Sequence, residues 1–277
     1  MKDKVVIITG SGGGIGKATA IAFCKRGAKV MLNGRNAEKL AKTEELLRGM
    51  GFTVAAHAAD ITNFEDCKIL VQKTLDTFGR LDVLVTNASL SMRARFDEMS
   101  PEAFKTVLDS NLYGSIMPIY AALDAITASK GSIVLIGSVA GFYGLPSASA
   151  YSTGKTALTA FSQSLRAELT PKGVHVGIVY VGFTENDDDK RVLDAQGNLV
   201  PVAARSRLIQ QTQEQVAQSI VNLTARRRNR VVLSAIGKSL AFIVRFFPSV
   251  VHYGIQWSQR KFKDMYSEKN TEGGVEP

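Results

Sequence analysis

Short apolar segments alternate with longer amphipathic segments along most of this 277-residue chain. The apolar segments are rich in Val, Ile and Leu and show little alternation with polar residues, which is typical of strands covered on both faces. This pattern predicts six strands, at residues 5–9, 29–32, 53–56, 82–86, 132–137 and 175–179. Alternating strands and helices favour a parallel sheet with helices on both faces. We therefore expect a single α/β domain with a doubly wound sheet, which binds ligands at the carboxyl ends of its strands.

Composition and the scarcity of cysteine narrow the class of protein. Hydrophobic residues make up 45% of the chain and charged residues 21%, which is ordinary for a folded globular protein. Cys24 and Cys67 give neither a disulfide framework nor a metal-ligand spacing, and His57, His175 and His252 are isolated from one another. We therefore expect no metal site, and a reducing compartment such as the cytoplasm. No apolar run approaches the roughly 18 residues of a membrane-spanning helix.

The first predicted strand ends in a glycine-rich turn suited to phosphate. Residues 9–16 have the sequence T-G-S-G-G-G-I-G, followed by a helical segment. Glycines let the backbone turn tightly and approach a pyrophosphate, whose charge then faces the positive end of the helix. Neither G-x-x-x-x-G-K-[ST] nor a strict G-x-G-x-x-G fits in register, whereas T-G-x-x-x-G-x-G does. The turn predicts a dinucleotide site in a Rossmann-type sheet, with contacts from Gly10, Ser11, Gly12, Gly13, Gly14, Ile15 and Gly16.

A second motif suits acid–base chemistry. Tyr151 and Lys155 lie four residues apart in a predicted helix, so both side chains project from one face. A phenol near pKa 10 is a poor catalyst at neutral pH, but a fixed ammonium group favours the phenolate and lowers that pKa. Ser138 closes the strand upstream, where its hydroxyl can hydrogen-bond a substrate oxygen. Tyr151 is therefore predicted as the general acid of a reduction, or the general base of an oxidation.

Together, the turn, Ser138 and the Y-x-x-x-K motif resemble the short-chain dehydrogenase/reductase family over roughly residues 4–181. The resemblance implies that Asn111 is a fourth catalytic residue, which helps hold a water that links Lys155 to solvent. It implies further cofactor contacts from Asp60, Ile61, Asn87, Ala88, Tyr151, Lys155, Gly182 and Thr184. The chain departs from the family pattern at Thr86, at Ser89 in place of a glycine, at Val181 in place of a proline, and at Asn186.

The end of the second predicted strand bears on the choice of cofactor. Enzymes that prefer NAD commonly place an acidic residue here to bind the ribose 2′-hydroxyl, whereas an arginine accommodates a 2′-phosphate. Here Gly34 stands at the acidic position, and Arg35 and Asn36 follow it. A guanidinium group can pair with a phosphate through two hydrogen bonds. The sequence thus favours NADP(H) over NAD(H), with Arg35 and Asn36 as contacts.

These observations predict an NADP(H)-dependent oxidoreductase that moves hydride between the nicotinamide and a carbonyl or alcohol carbon. A hydrolase is not supported, because no G-x-S-x-G elbow surrounds Ser138. A catalytically silent dinucleotide-binding sensor or scaffold is the alternative, and the complete set of Asn111, Ser138, Tyr151 and Lys155 argues against it. The expected partner is a small molecule. The family resemblance also implies a homo-oligomer, a dimer or a tetramer.

The substrate is expected to be apolar and possibly lipid-like. Phe142, Tyr143, Leu145 and Phe183 flank the motifs above and are predicted to line its pocket. Residues 182–212 show no clear period, which predicts a substrate lid. Beyond it, Thr212 and Gln215 form a capping-box pattern, so a helix is expected to begin there. The catalytic domain is thus predicted to cover residues 1–225.

A basic and apolar extension, residues 226–277, is predicted to pack on or beside that domain. It holds ten Lys and Arg against four Asp and Glu, so +6 of the net charge of +9 lies there. Apolar and aromatic residues flanked by cations suit the surface of an anionic membrane. Packing over the substrate pocket or in an oligomer interface is the alternative. No base-reading module accompanies the charge, so no nucleic acid is expected, and residues 268–277 are expected to be frayed.

Overall fold

A seven-stranded parallel sheet forms the centre of the structure. The computed structural model describes residues 1–202 and 210–267, with side chains through Trp257 outside that gap. Its strands are β1 (Val5–Ile8), β2 (Lys29–Gly34), β3 (Val54–Ala58), β4 (Val83–Thr86), β5 (Ser132–Ser138), β6 (His175–Val181) and β9 (Arg230–Val232). They have the order β3-β2-β1-β4-β5-β6-β9 across the sheet. The order reverses between β1 and β4, which opens a crevice at the carboxyl ends of the strands.

Helices cover both faces of the sheet. They are α1 (Gly14–Cys24), α2 (Ala37–Gly49), α3 (Phe64–Phe78), α4 (Pro101–Leu108), α5 (Gly114–Ala128), α6 (Ser149–Leu169) and α7 (Gln213–Ala225). One core cluster packs α1, α2 and α7 on the sheet through residues such as Phe23, Leu47 and Ile220. A second cluster packs α3, α5 and α6 on the opposite face, through Leu70 and Leu158 among others. The predicted doubly wound α/β fold is therefore confirmed.

The six predicted strands are present. The structure differs from the prediction in where some strands end and in a seventh strand of the sheet. β2 runs on to Gly34 and β6 to Val181, because each continues to pair with its neighbour beyond the predicted end. β9 falls in the segment predicted as a C-terminal extension, and it pairs with β6 at the edge of the sheet. The central sheet thus takes its last strand from beyond residue 225.

The predicted lid segment contains a small hairpin. β7 (Arg191–Leu193) and β8 (Leu199–Pro201) pair antiparallel, and the part of the segment at residues 203–209 lies outside the described residues. α7 begins as expected, because Thr212 caps it and the side chain of Gln215 returns to the backbone of Thr212. That local prediction is confirmed, whereas the role of the segment as a lid stays a prediction.

The buried carboxylate of Asp82 ties the start of β1 to β4. It accepts hydrogen bonds from the side chains of Lys4 and Arg80 and from the backbone N–H of Val5. Burial by itself would raise the pKa of Asp82, but these hydrogen bonds together outweigh it and lower that pKa. The pair of central strands is therefore fixed by an ionised group that has partners on each side.

Two helices follow β9, namely α8 (Ala235–Phe246) and α9 (Pro248–Ser267). Large apolar side chains on these helices, and Phe247 between them, are more than half exposed. Those on the helices include Ile236, Phe242, Phe246, Val250, Tyr253 and Trp257. Among the described residues, no single helix is long and apolar enough to cross a membrane. α8 and the start of α9 together reach that length and composition, but they are bent by 116°. The predicted frayed segment, residues 268–277, lies outside the described residues.

Candidate active site

A cleft of about 570 Å³ opens at the carboxyl edge of the sheet, above β1, β2, β4, β5 and β6. Most residues predicted from the sequence line it. They are Gly10, Gly12, Gly13, Gly14, Ile15, Gly16, Arg35, Asn36, Asp60, Ile61, Asn87, Ala88, Ser138, Tyr151, Lys155, Gly182, Phe183 and Thr184. A volume in this range suits a small-molecule or cofactor site. The phosphate turn and the Y-x-x-x-K motif, which are 135 residues apart from Gly16 to Tyr151 in the chain, therefore share one cavity.

The phosphate turn is built so that only glycine fits at its closest contacts. Gly10 has φ of +64°, and a Cβ there would lie 2.8 Å from the Cα of Ala88. A Cβ on Gly16 would lie 2.2 Å from the carbonyl oxygen of Gly10. α1 begins at Gly14, so the backbone N–H groups of its first turn have no acceptor within the helix. This cradle fits the pyrophosphate of a dinucleotide.

Ser11 is the one predicted cofactor contact of the turn that does not line the cleft. Its side chain is fully buried, its hydroxyl accepts from the backbone N–H of Asn33 at 2.9 Å, and its own N–H donates to the carbonyl of Asn33 at 2.8 Å. The prediction of a cofactor contact from Ser11 is corrected on this point. Ser11 instead fixes the turn to the end of β2.

Arg35 stands at the mouth of the cleft, directly after β2. Its side chain is exposed, and it lines the same cavity as the phosphate turn. Asn36 follows and caps α2, since its side chain accepts from the backbone N–H of Lys39 at 2.8 Å. The guanidinium of Arg35 is thus available to an anion at the end of β2, whereas the Asn36 carbonyl oxygen already has a partner.

Ser138, Tyr151 and Lys155 converge at the other end of the cleft. Ser138 is the last residue of β5, and its buried hydroxyl accepts from the N–H of Ala140 at 3.2 Å. Tyr151 and Lys155 lie on the first turns of α6, with Lys155 Nζ 5.7 Å from the centre of the tyrosine ring. Lys155 Nζ also donates to the carbonyl of Ile136 on β5 at 3.0 Å. A helix and a strand therefore position the three side chains from opposite sides.

Lys155 is one of the most deeply buried charged groups of the described chain, with an exposed fraction of 2%. Burial, together with the charge of the nearby Lys190, lowers the pKa of Lys155 to about 7. An ammonium group that titrates near neutral pH can gain or lose a proton during a reaction. Such a shift is common among the acid–base groups of active sites.

Asn111 lies behind this group and not on the wall of the cleft. It sits in a π-helical turn (Asp109–Tyr113) between α4 and α5 and is fully buried. Its amide nitrogen donates to the carbonyls of Leu90 and Val107, and its amide oxygen accepts from the Ser89 hydroxyl at 3.0 Å. Its side chain is thus held at every polar atom. The departure from glycine at Ser89 supplies one of those contacts.

Three of the four residues predicted to line the substrate pocket lie elsewhere. The ring of Phe142 packs on Tyr180, with centroids 4.5 Å apart, beside the core of the α6 face. Tyr143 and Leu145 line a separate cavity of about 1070 Å³, where the Tyr143 hydroxyl lies 3.3 Å from Nδ1 of His252 on α9. Tyr143 and Leu145 share this second cavity with Ser152, Thr153 and Thr156 of α6. Only Phe183 lines the cleft, and the prediction is corrected for the other three.

Several polar residues of the cleft were missed from the sequence, among them Asn33, Lys39, Asp187, Asp189 and Lys190. The carboxylate of Asp187 accepts from the N–H of Gly14 at 2.7 Å, and Lys39 Nζ lies 2.6 Å from Asp189. The run of aspartates was visible in the sequence. Its contacts with Gly14 and Lys39 were not, because these two residues are more than a hundred positions away in the chain.

Comparisons with known proteins agree with this fold. The family model described as short chain dehydrogenase matches residues 4–197. An uncharacterized oxidoreductase of Thermotoga maritima is 36% identical over 187 residues, which are 67% of this chain and 74% of that protein. The 11-beta-hydroxysteroid dehydrogenase-like 2 protein of Arabidopsis thaliana is 36% identical over 186 residues, or 66% of this chain, and the match spans only 60% of that protein.

Solved structures show the same architecture. A short-chain dehydrogenase/reductase from Burkholderia phymatum, in complex with NAD, superposes with a TM-score of 0.78 at 20% identity, over 90% of this chain and 95% of that one. An alcohol dehydrogenase from Thermococcus sibiricus, complexed with 5-hydroxy-NADP, gives 0.73 at 25% identity, over 84% and 97%. The chain belongs to the short-chain dehydrogenase/reductase family. It is therefore an oxidoreductase of the kind that acts on CH–OH groups.

Proposed function

We propose that the chain is an NADP(H)-dependent oxidoreductase that transfers hydride between the nicotinamide and a carbonyl or alcohol carbon of an apolar substrate. The observation that carries the proposal is a single cleft with a phosphate cradle and Arg35 at one end and Ser138, Tyr151 and Lys155 at the other. A bound dinucleotide with its adenosine end at Arg35 brings its nicotinamide to the catalytic side chains. A sensor or scaffold has no need of this second group.

NADP(H) is favoured because of the end of β2. Gly34 offers no carboxylate to repel a 2′-phosphate, and the exposed Arg35 guanidinium can pair with it. Relatives with known ligands are divided, since one solved structure holds NAD and another holds an NADP derivative. The preference therefore rests on Arg35 of this chain.

The chemistry at the other end follows from the positions of the side chains. The nicotinamide supplies or accepts the hydride. In a reduction, Ser138 donates a hydrogen bond to the substrate carbonyl and Tyr151 gives its phenolic proton to the same oxygen. Lys155, when charged, stabilises the resulting phenolate and binds the nicotinamide ribose. Asn111 acts from behind as a positioning residue and supports the proton relay through which Lys155 reaches solvent.

An apolar substrate is supported by fewer residues than the sequence suggested. Phe183 is the one predicted pocket residue that lines the cleft. The name of the Arabidopsis relative, 11-beta-hydroxysteroid dehydrogenase-like 2, adds support for a hydrophobic alcohol or ketone. We keep this substrate class on both grounds.

Tyr151→Phe tests the proposed chemistry, because it removes one oxygen and keeps the ring. We expect the rate of NADPH oxidation with apolar ketones to fall by about a hundredfold or more, while the NADPH dissociation constant stays within about twofold of wild type. Tyr143→Phe is the matched control, since it removes the same atom outside the cleft. Equal rates in Tyr151→Phe and the control would refute the role of Tyr151. NADPH binding without turnover of any substrate would favour the sensor or scaffold.

We also propose that α8 and α9 lie on the surface of an anionic membrane. Large apolar side chains such as Phe242, Phe246 and Val250 are 58–61% exposed, and Lys238 and Arg245 are exposed beside them. Aromatic side chains that enter a membrane interface next to cations gain apolar burial and attraction to anionic lipid. This surface has the chemistry of an interfacial segment.

Sedimentation with vesicles tests this contact. Phe246→Asp should lower the fraction bound to anionic vesicles by about tenfold, as expected for one lost aromatic anchor, and neutral vesicles should bind little of either protein. Phe96→Asp, at an exposed ring outside α8 and α9, is the matched control. If Phe246→Asp instead halves the mass of the protein in solution, the surface is an interface between two copies of the chain.

Localisation and assembly complete the proposal. A cytoplasmic location is supported by Cys24 and Cys67, which are free and buried. The proposed peripheral membrane contact is supported by the exposed apolar side chains of α8 and α9. A homo-oligomer, a dimer or a tetramer, is supported by the family resemblance alone. The molar mass in solution, measured by light scattering, decides between these states and a monomer.

A further inference from the structure

Asp187 and Asp189 line the cofactor cleft beside the phosphate turn and α2. Oδ2 of Asp187 accepts from the backbone N–H of Gly14 at 2.7 Å, at the first residue of α1. Asp189 pairs with Lys39 of α2, with Nζ and Oδ2 2.6 Å apart. A Cβ built on Gly13 would lie 2.8 Å from Asp187 Oδ2 and 2.7 Å from Lys39 Cε. The carboxylate and the lysine thus meet above the bare Cα of Gly13.

The position of Asp187 is fixed from several sides. Its second oxygen, Oδ1, accepts from Nε2 of Gln213 at the start of α7, at 2.8 Å. The turn that carries it is closed by a hydrogen bond from the N–H of Lys190 to the Asp187 carbonyl at 3.0 Å. Both carboxylate oxygens therefore have partners, and these come from elements far apart in the chain. Hydrogen bonds to both of its carboxylate oxygens therefore hold Asp187 against the phosphate turn.

The N–H of Gly14 can serve only one strong acceptor at a time. A backbone N–H at the start of a helix is a preferred donor to phosphate oxygens, for the same reason that it binds a carboxylate. The Asp187 carboxylate takes that donor, and Asp189 takes the ammonium of Lys39 beside it. These two carboxylates use the donors that an incoming phosphate needs.

The charges of the cleft favour an exchange of anions. Lys39, Lys155 and Lys190 all line it. The carboxylates that lie near Lys39 and Lys190 are those of Asp187 and Asp189. Withdrawal of those carboxylates alone would leave the ammonium groups facing one another. A dinucleotide brings phosphates that replace the lost negative charge.

We propose that Asp187 and Asp189 occupy phosphate-binding positions of the cofactor cleft, and that cofactor binding displaces them while Lys39 passes from Asp189 to a cofactor phosphate. This inference rests on the proposed function, because it concerns the same cofactor site. It makes Lys39 a binding residue for the cofactor. It also makes the segment 187–190 a competitor that lowers the affinity for the cofactor.

Three consecutive aspartates provide a matched series for the test. Asp187→Ala, Asp188→Ala and Asp189→Ala change the net charge equally, but the side chain of Asp188 is exposed and does not line the cleft. NADPH dissociation constants of these variants and of wild type are measured by nicotinamide fluorescence. We expect Asp187→Ala and Asp189→Ala to bind NADPH at least about fivefold more tightly than Asp188→Ala, a coupling at the lower end of the usual range.

A double-mutant cycle tests the exchange at Lys39. In the Lys39→Met background, Asp189→Ala should no longer tighten binding, because the freed ammonium is absent. Lys42→Met, at an exposed position of the same helix, is the control background in which the tightening is retained. Inorganic pyrophosphate, titrated by calorimetry, should follow the same order across the aspartate series, since the exchange involves phosphate alone.

The outcomes separate this inference from the proposed function. Equal NADPH affinity across the three aspartate variants would overturn the displacement and leave the cofactor site intact. Weaker binding by Asp187→Ala than by Asp188→Ala would also overturn it, since Asp187 would then support the bound cofactor. No binding of NADPH by any of the four proteins would overturn both, because removal of the competing carboxylates would not have opened a site.

Discussion

The side-chain nitrogen of Lys155 lies 5.7 Å from the centre of the Tyr151 ring, and both side chains line the cleft that also holds Ser138. Their spacing on one face of α6 brings a titrating ammonium beside the phenol. Because Lys155 is anchored to the carbonyl of Ile136 on β5, the pair is fixed relative to the strand that carries Ser138.

Ser138→Ala should slow turnover with little change in cofactor binding. The hydroxyl is the expected donor to the substrate oxygen, and loss of one such donor typically costs about a hundredfold in rate. The same hydroxyl also accepts from Ala140, so a stability loss of about 1 kcal/mol is expected as well. Steady-state kinetics, with NADPH affinity and urea unfolding measured in parallel, separate the two effects. An unchanged turnover number would contradict the role.

NADPH binding should take up a proton in the pH range just above 7. Burial, aided by Lys190, lowers the pKa of Lys155 to about 7 in the free protein, so the amine becomes neutral as the pH rises above that value. An anionic dinucleotide favours the charged form and raises this pKa in the complex. Affinity should therefore fall with rising pH, by up to about tenfold per unit.

Calorimetry in two buffers of different ionisation enthalpy measures that proton uptake. Lys155→Met should abolish it, whereas Lys172→Met, on the surface after α6, should retain it. Proton uptake of the same size in Lys155→Met would show that another group is responsible.

Asp82→Asn should destabilise the fold in a pH-dependent way. The pKa of Asp82 is lowered in the folded protein, so its contribution is present above its unfolded pKa of about 3.9 and is lost as the pH falls through the lower folded value. We expect a loss of about 2 kcal/mol at neutral pH, and a smaller difference from wild type below about pH 4. Urea unfolding at both pH values measures this.

The control for that experiment is Asp124→Asn, at an exposed position on α5. It should stay within about 0.5 kcal/mol of wild type. A difference between Asp82→Asn and wild type that is equal at both pH values would contradict an ionised Asp82.

The six apolar strands and the start of α7 were predictable, because local sequence patterns determine them. The strands of the sheet have short apolar runs, and the start of α7 follows from Thr212 and Gln215, which contact each other within one turn. β9 was missed because Arg230–Val232 follows a run of arginines and is only three residues long. Its pairing with β6 depends on the rest of the sheet, which no local pattern shows.

The site residues that belong to sequence motifs were predictable. Those whose side-chain direction depends on turns and tertiary packing were less so. Residues of the two motifs meet in one cleft, because parallel strands bring their carboxyl ends together. Phe142 was misplaced because its direction is set by the short turn after Ser138 and by packing on Tyr180. The contact of Asp187 with Gly14 spans 173 positions in the chain. Proximity of that kind comes only from the folded structure.

The central claim is tested most directly by titrating the protein with NADPH and with NADH, for wild type and for Arg35→Ala. We predict that wild type binds NADPH at least about tenfold more tightly, and that Arg35→Ala loses most of this preference, or about 1.4 kcal/mol. Arg48→Ala, on the last turn of α2, is the control and should keep it. Equal affinity of wild type for the two cofactors would contradict the NADP(H) assignment, and binding of neither would contradict the account as a whole.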